Sequence, residues 1–233
     1  MQLRTQVKKL SLWVFIIPFV AINLCLFISV NFNIFENTFL SVDQIGRSAP
    51  TFPYIDGGVS ISRTARTYPA YLIFKPAMII SSILLIVYWI KTNKIINFYQ
   101  NEEGKRNIFK TFGILSAIFL ITHSIFLGIK FDYDLYKFFR RFVLLGFIIF
   151  EIVAQSLLVY RFFKLKKIIY EDINNYVLTL KIILVTILVI VAITSFPIVV
   201  SSGNIHFKHA LEWNYFVGVI VFYLLTYLFW KKN

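Results

Sequence analysis

The sequence predicts an all-α fold: a polytopic transmembrane bundle of six helices, with the whole chain, 1–233, forming a single transmembrane domain. Three observations carry this. Segments 10–35, 111–129 and 182–207 contain no Asp, Glu, Lys or Arg. A hydrocarbon core of about 30 Å is crossed by roughly 20 apolar residues of helix rising about 1.5 Å each. The 58% hydrophobic composition and mean hydropathy of +0.74 lie far above the norm for soluble domains.

The predicted spans are 11–31, 68–89, 111–129, 142–160, 182–200 and 213–230. The first could be mistaken for a signal peptide. Its apolar run is longer than the usual core of about 7–15 residues and no small-residue cleavage site follows, so it reads as a retained helix. Pro18, Pro76 and Pro197 fall inside spans, where a membrane helix tolerates them as kinks. The fourth span is centred on an acid, Glu151, and the sixth opens on Trp213. No internal repeat of the kind found in inverted-repeat transporters is visible.

Lys and Arg set the expected orientation. With the N-terminus inside, fifteen of them fall on inner segments and eight on outer ones, with Lys75 inside a span. The positive-inside rule then places both termini in the cytoplasm. Arg140 and Arg141 run against the trend, and Lys181 counts as an inner-loop residue. The net charge of +13 does not indicate nucleic acid, because the basic residues are split among short juxtamembrane loops. They suit topology signals and contacts to anionic lipid heads, most densely over 161–167. The single cysteine, Cys25, excludes an internal disulfide and a thiolate metal cluster.

The first outer loop, 33–67, is the longest connection. Its turn residues Pro50, Pro53, Gly57 and Gly58 alternate with aromatics, which predicts an ordered loop lying over the outer helix ends. Within it, 59–62 has the composition of a short strand. The inner connection 161–181 carries Ile168, Ile169, Tyr170 and Ile173 beside lysines. A short interfacial helix and a plain cytosolic loop are both open for it.

Ionisable groups inside spans cost about 2.5–3.5 kcal/mol at the centre, so they are usually paired or functional. Glu151 should face the bundle interior, because in lipid it would either be protonated or draw water inward. Gln155 shares its face one turn on. His123 falls about one turn from the depth of Glu151 if the third and fourth spans are adjacent. Such a pair suits acid–base chemistry, and it equally suits an interhelical hydrogen bond that fixes packing, the commoner use. His206, His209 and Glu212 cluster in the last outer loop. They lack the His-Glu-x-x-His spacing of a zinc site and read as polar surface residues, so no metal or cofactor is expected. Lys75 reads as a snorkelling lysine.

The run Pro53-Tyr54-Ile55-Asp56-Gly57-Gly58, the run Pro69-Ala70-Tyr71-Leu72-Ile73-Phe74 opening the second span, and the trio Leu211-Glu212-Trp213 opening the sixth resemble the DRAM/FRAG/SFK-like six-span proteins. That family includes autophagy modulators and GPI-anchor lipid-remodelling factors. Asp56 stands where the family has serine, and Ala70 where it has glutamate. The resemblance implies a membrane-lipid role and supplies no catalytic set.

The expected function is therefore that of a non-catalytic integral membrane protein that binds or organises membrane lipids. Pro53, Tyr54, Asp56, Gly57, Gly58, Gln155, His206, His209, Glu212 and Trp213 are the binding candidates. The first alternative is an intramembrane lipid hydrolase or acyltransferase in which His123 and Glu151 are catalytic and share a polar cavity near the outer leaflet with His206, His209 and Glu212. The second is a transporter component or accessory subunit. Membrane lipids are the expected partners, with a protein partner in the membrane possible in principle and no nucleic acid.

Overall fold

The computed structural model describes residues 2–101, 107–129, 134–201 and 203–231. Among these, six helices are long and apolar enough to cross a membrane, which makes the chain a multi-pass helical protein. They are α1 (Gln2–Val30), α3 (Ala70–Gln100), α4 (Ile108–Phe126), α5 (Asp134–Leu165), α6 (Asn175–Val200) and α7 (Ile205–Phe229). A short α2 (Ile61–Ala65) lies in the first long loop. In space each long helix packs on its sequence neighbour, and α7 returns to α1, so the six close into a ring. Contacts between α5 and α7 cross its middle. Both termini lie at one end, the terminal end, and the long loop covers the other, the capped end.

Lipid tails are as apolar as leucine, so the ring is held by packing and interhelical hydrogen bonds. Two apolar clusters stack along it. The larger fills the terminal half with Tyr88, Trp89, Phe109, Phe162, Phe222, Tyr223, Phe229 and Trp230 among its members. The smaller fills the capped half around Ile22, Cys25, Phe74, Met78, Leu127 and Trp213. Gly113 on α4 makes room for the Trp89 ring of α3: a Cβ there would lie 2.3 Å from Trp89 Cδ2.

The terminal end is tied by polar contacts. Arg4 pairs with Asp172, which also accepts from the Tyr99 hydroxyl. Lys8 Nζ donates to Trp230 O at 2.9 Å, and Ile173 forms a bridge with Trp230. Burial would raise the Asp172 pKa, but the Tyr99 hydroxyl and Arg4 outweigh it and hold the carboxyl below its ordinary value. Asparagines tie the end of α3 to the start of α4: Asn107 Nδ2 donates to Asn93 Oδ1 at 3.0 Å and to Asn97 Oδ1 at 2.8 Å. Asn174 caps α6, accepting from Tyr176 N at 3.0 Å.

Four expectations change. Segment 59–62 is not a strand: Ser60 Oγ accepts from Arg63 N at 3.2 Å and starts α2, since an isolated strand has no ladder to satisfy its backbone. Segment 161–181 holds no separate helix: α5 runs through Leu165, 166–174 form a loop of turns, and α6 begins at Asn175. The fourth helix begins at Asp134, well before 142, because charged residues near a membrane surface need not end a helix. Lys181 is not a loop residue but a fully buried one inside α6.

Gly113→Ala tests the α3–α4 contact. Overpacking against the Trp89 ring is expected to cost about 1–3 kcal/mol, read as a lower melting temperature of the detergent-solubilised protein.

Candidate functional site

The sequence candidates separate into two sites, one at each level of the ring. The first is the cap. Asp56 builds a tight turn, its carboxylate accepting from Thr51 Oγ1 at 2.5 Å, Phe52 N at 2.8 Å and Gly58 N at 2.8 Å. The Thr51 hydroxyl foremost, then the Gly58 and Phe52 amides, hold its pKa below the ordinary carboxylate value. Pro53 is buried and its carbonyl accepts from Gly57 N at 3.2 Å. Gly57 has φ +62°, and a Cβ there would lie 1.7 Å from His206 O, so this position admits only glycine.

The cap is locked onto α7 by the aromatic and polar residues that the sequence singled out. Trp213 Nε1 donates to Val59 O at 2.8 Å, and His209 Nδ1 donates to Gly57 O at 3.0 Å. The Glu212 carboxylate lies near the backbone of Ser62 and Ile61. Tyr54 packs edge-on against Trp213 at 5.0 Å, and its hydroxyl donates to Asn23 Oδ1 at 3.0 Å. Burial raises the Tyr54 pKa, with the Asn23 contact opposing it. These residues are occupied in docking the loop, and His206 is left exposed beside Asp56. No group of three or more His, Cys, Asp or Glu suited to a metal exists among the described residues.

Arginines gather at the rim of the cap. Arg63 and Arg66 flank the end of α2, and Arg140 on α5 is near enough to act on Arg66. Gly128 sits against the backbone of Arg66, its hypothetical Cβ 2.7 Å from Arg66 O. Burial first, then repulsion from Arg140 and Arg63, pushes the Arg66 pKa down. None of the three makes an ion pair among the described residues, and Arg140 Nε is buried without a hydrogen-bond partner. His123 belongs to this level, since Arg140 is the charge that acts on it.

The second site lies inside the ring and holds Glu151 and Gln155, both fully buried. Glu151 Oε1 accepts from Gln155 Nε2 at 3.0 Å and from the Tyr223 hydroxyl. Its Oε2 is 2.5 Å from Ser116 Oγ. Gln155 spends its second amide proton on Val219 O at 3.1 Å. Trp89 Nε1 lies by the carboxyl but makes no hydrogen bond. One turn along α7 from Tyr223, Thr226 Oγ1 accepts from Lys181 Nζ at 2.6 Å. The ammonium position is 3.9 Å from the Phe222 ring centre, with Phe229 at 5.3 Å and Phe162 at 5.6 Å. Tyr88 leans on Tyr223 edge-on at 5.0 Å, its hydroxyl 3.5 Å from Thr226 Oγ1.

His123 and Glu151 do not meet. Glu151 is level with Ser116, and the seven residues from there to His123 span about 10 Å of helix. The early start of α5 shifts its register against α4, which removes the depth match that the shorter predicted span implied. Nor do His206, His209 and Glu212 approach Glu151: the eleven residues from Glu212 to Tyr223 span about 16 Å. Lys75 snorkels toward the capped end, its Nζ donating to Ile125 O at 3.3 Å. Sequence reasoning missed Lys181, Tyr223, Tyr88, Ser116 and Thr226. The available signal was helix phase, because Tyr223 and Thr226 are three apart on the sixth span and Lys181 directly abuts the fifth predicted span. No protein-family model matches this chain, and no curated protein or solved structure matches it either.

Two variants test these assignments. Asp56→Ala should loosen the cap and speed limited proteolysis within 47–63 without changing helix content. Because folding holds this carboxyl below its ordinary 3.8, its contribution is complete above that value and is lost as pH falls through the lower folded value. The wild-type cap should thus keep its protease resistance throughout the neutral range. Tyr223→Phe removes one donor from a buried carboxyl and should cost about 1–3 kcal/mol in thermal unfolding.

Proposed function

We propose that this chain is a non-catalytic multi-pass membrane protein that binds and organises anionic membrane lipids at its capped end. The observation that carries the reading is the cluster of Arg63, Arg66 and Arg140, drawn from two chain segments and without carboxylate partners among the described residues. Like charges gathered in this way repel one another, and a phosphate headgroup relieves that repulsion by accepting several charge-assisted hydrogen bonds. Exposed apolar side chains project from the same ordered cap, with Phe39 84% and Ile55 81% accessible. Seated at the boundary of headgroups and acyl chains, they would be removed from water.

The resemblance to the DRAM/FRAG/SFK-like proteins points to the same lipid-handling role. The charge distribution favours the terminal end as cytoplasmic, even with Lys181 removed from the count of loop charges. The capped end then faces the outer or lumenal leaflet. The polar residues of the cap act as docking contacts that hold the arginines in place, rather than as an acid–base set.

The test is the lipid content of the purified protein, read by mass spectrometry. Arg63→Gln, Arg66→Gln and Arg140→Gln combined should strip bound anionic phospholipid while leaving zwitterionic lipid unchanged. At about 1 kcal/mol per basic group, the combined loss is somewhat over about a hundredfold in affinity. An unchanged anionic-lipid content in a folded triple variant would sink the reading.

A further inference from the structure

Beside the arginine cluster, the start of α5 forms an apolar groove of about 520 Å³ lined by Leu135, Tyr136, Phe138, Phe139 and Phe142. All five come from α5, whose helical repeat brings positions 135, 138, 139 and 142 onto one face. That face is on the outside of the ring: Leu135 is 79% exposed, Phe138 66% and Phe142 53%. Aromatic packing shapes it. The Phe138 and Phe142 rings stack at 6.4 Å, as do those of Tyr136 and Phe139. Rings of α4 support the groove from behind, with Phe126 edge-on to Phe139 at 5.4 Å and Phe119 edge-on to Phe142 at 5.9 Å. The Tyr136 hydroxyl ties the groove to the end of α4 by donating to Phe126 O at 3.0 Å.

Groove and arginines are joined. Arg140 directly follows Phe138 and Phe139, and its guanidinium carbon stands 6.0 Å from the centre of the Tyr136 ring, one wall of the groove. Arg140 is also the member of the cluster on α5 that acts on Arg66. One side chain therefore borders a cationic seat and an apolar one. From Leu135 to Phe142 the groove runs about 10 Å along α5, away from the capped end and over about a third of a hydrocarbon core. A molecule with an anionic head and an apolar tail matches that order of chemistry. A free phosphate would leave the groove empty, and a chain without an anionic head would leave the arginines without a counter-charge. The lipid-facing side of α6 is built differently: its exposed large side chains over 183–193 are Ile183, Ile187, Ile190 and Ile193, without an aromatic ring.

We propose that the anionic lipid of the capped end is one bound phospholipid with two seats, its phosphate on Arg63, Arg66 and Arg140 and one acyl chain along the α5 groove. The inference rests on the headgroup reading above and adds the tail site. Lipid tails are as apolar as the groove, so seating a chain there gains packing and not hydrophobic free energy. The arginines supply the preference for charge, and the groove fixes where the chain of the chosen lipid lies.

Fluorescence quenching tests this. The full chain carrying Phe142→Trp is reconstituted in phosphatidylcholine vesicles in which a minor fraction of the lipid is brominated on its acyl chains. That fraction is either phosphatidylglycerol or phosphatidylcholine, and the unsubstituted chain gives the signal of the native tryptophans. A preference of over about a hundredfold fills the site even when the anionic lipid is about a tenth of the total. Brominated phosphatidylglycerol should then quench the added tryptophan at least about threefold more than brominated phosphatidylcholine at the same fraction. Arg63→Gln, Arg66→Gln and Arg140→Gln combined should remove the excess. Ile193→Trp, at a similar depth on α6, should show none. Should Phe142→Trp fail to fold, Leu135→Trp at the other end of the groove gives the same comparison. Equal quenching by the two lipids, in protein that retains anionic lipid on purification, overturns the tail site and leaves the headgroup reading standing. An excess that survives the triple substitution, or that appears equally at Ile193→Trp, overturns the single two-seat site. Anionic-lipid content unchanged by the triple substitution removes the headgroup reading and this inference with it.

Discussion

The dry interior of the helix ring is the constraint on which the rest of the structure depends. Water cannot solvate a polar group there, so each must find its partner on a neighbouring helix. Glu151 recruits Ser116 from α4, Gln155 from its own helix and Tyr223 from α7, and through Gln155 it reaches the backbone at Val219. One carboxyl thus fixes the relative rotation and register of α4, α5 and α7. Lys181 does the same for α6 against α7 through Thr226. Because α7 supplies partners to both buried titratable side chains and the docking surface for the cap, it links the two ends of the molecule.

The cap follows a different logic. It is built from turn chemistry, with Asp56 organising the backbone and Gly57 passing close to His206, and is then bolted to α7 by Trp213 and His209. A second anchor joins it to α1, where Ser29 Oγ donates to Gly46 O at 2.5 Å. This attachment at two helices makes the loop a rigid platform. The arginines and exposed aromatics it presents are therefore placed by structure rather than by chance sampling of a mobile segment.

The number and order of the long helices were legible in the sequence because a bilayer demands one simple property over a fixed length. The placement of Glu151 and Gln155 inside the bundle was legible for the same reason. What was not legible depended on register. The helical extension of α5 back to Asp134 carries charges that hydropathy reads as loop, and that extension decides which residue of α4 faces Glu151. Lys181 looked like a boundary residue because hydropathy weighs composition and not the face on which a side chain falls. Tyr54, Gly57, His209, Glu212 and Trp213 were read from the sequence as binding candidates; in the structure they meet at the capped end, where Trp213 and His209 are engaged with the loop backbone.

The most direct test of the central claim is site-directed labelling in sealed membrane vesicles with a membrane-impermeant maleimide. The native Cys25 is buried and should stay silent. Phe39→Cys in the cap and Tyr170→Cys in the α5–α6 turn should label from opposite sides of the membrane, and Ile149→Cys near mid-helix should label from neither. Labelling of both Phe39→Cys and Tyr170→Cys from the same side, or free labelling of Ile149→Cys, would contradict a six-helix ring that crosses the membrane.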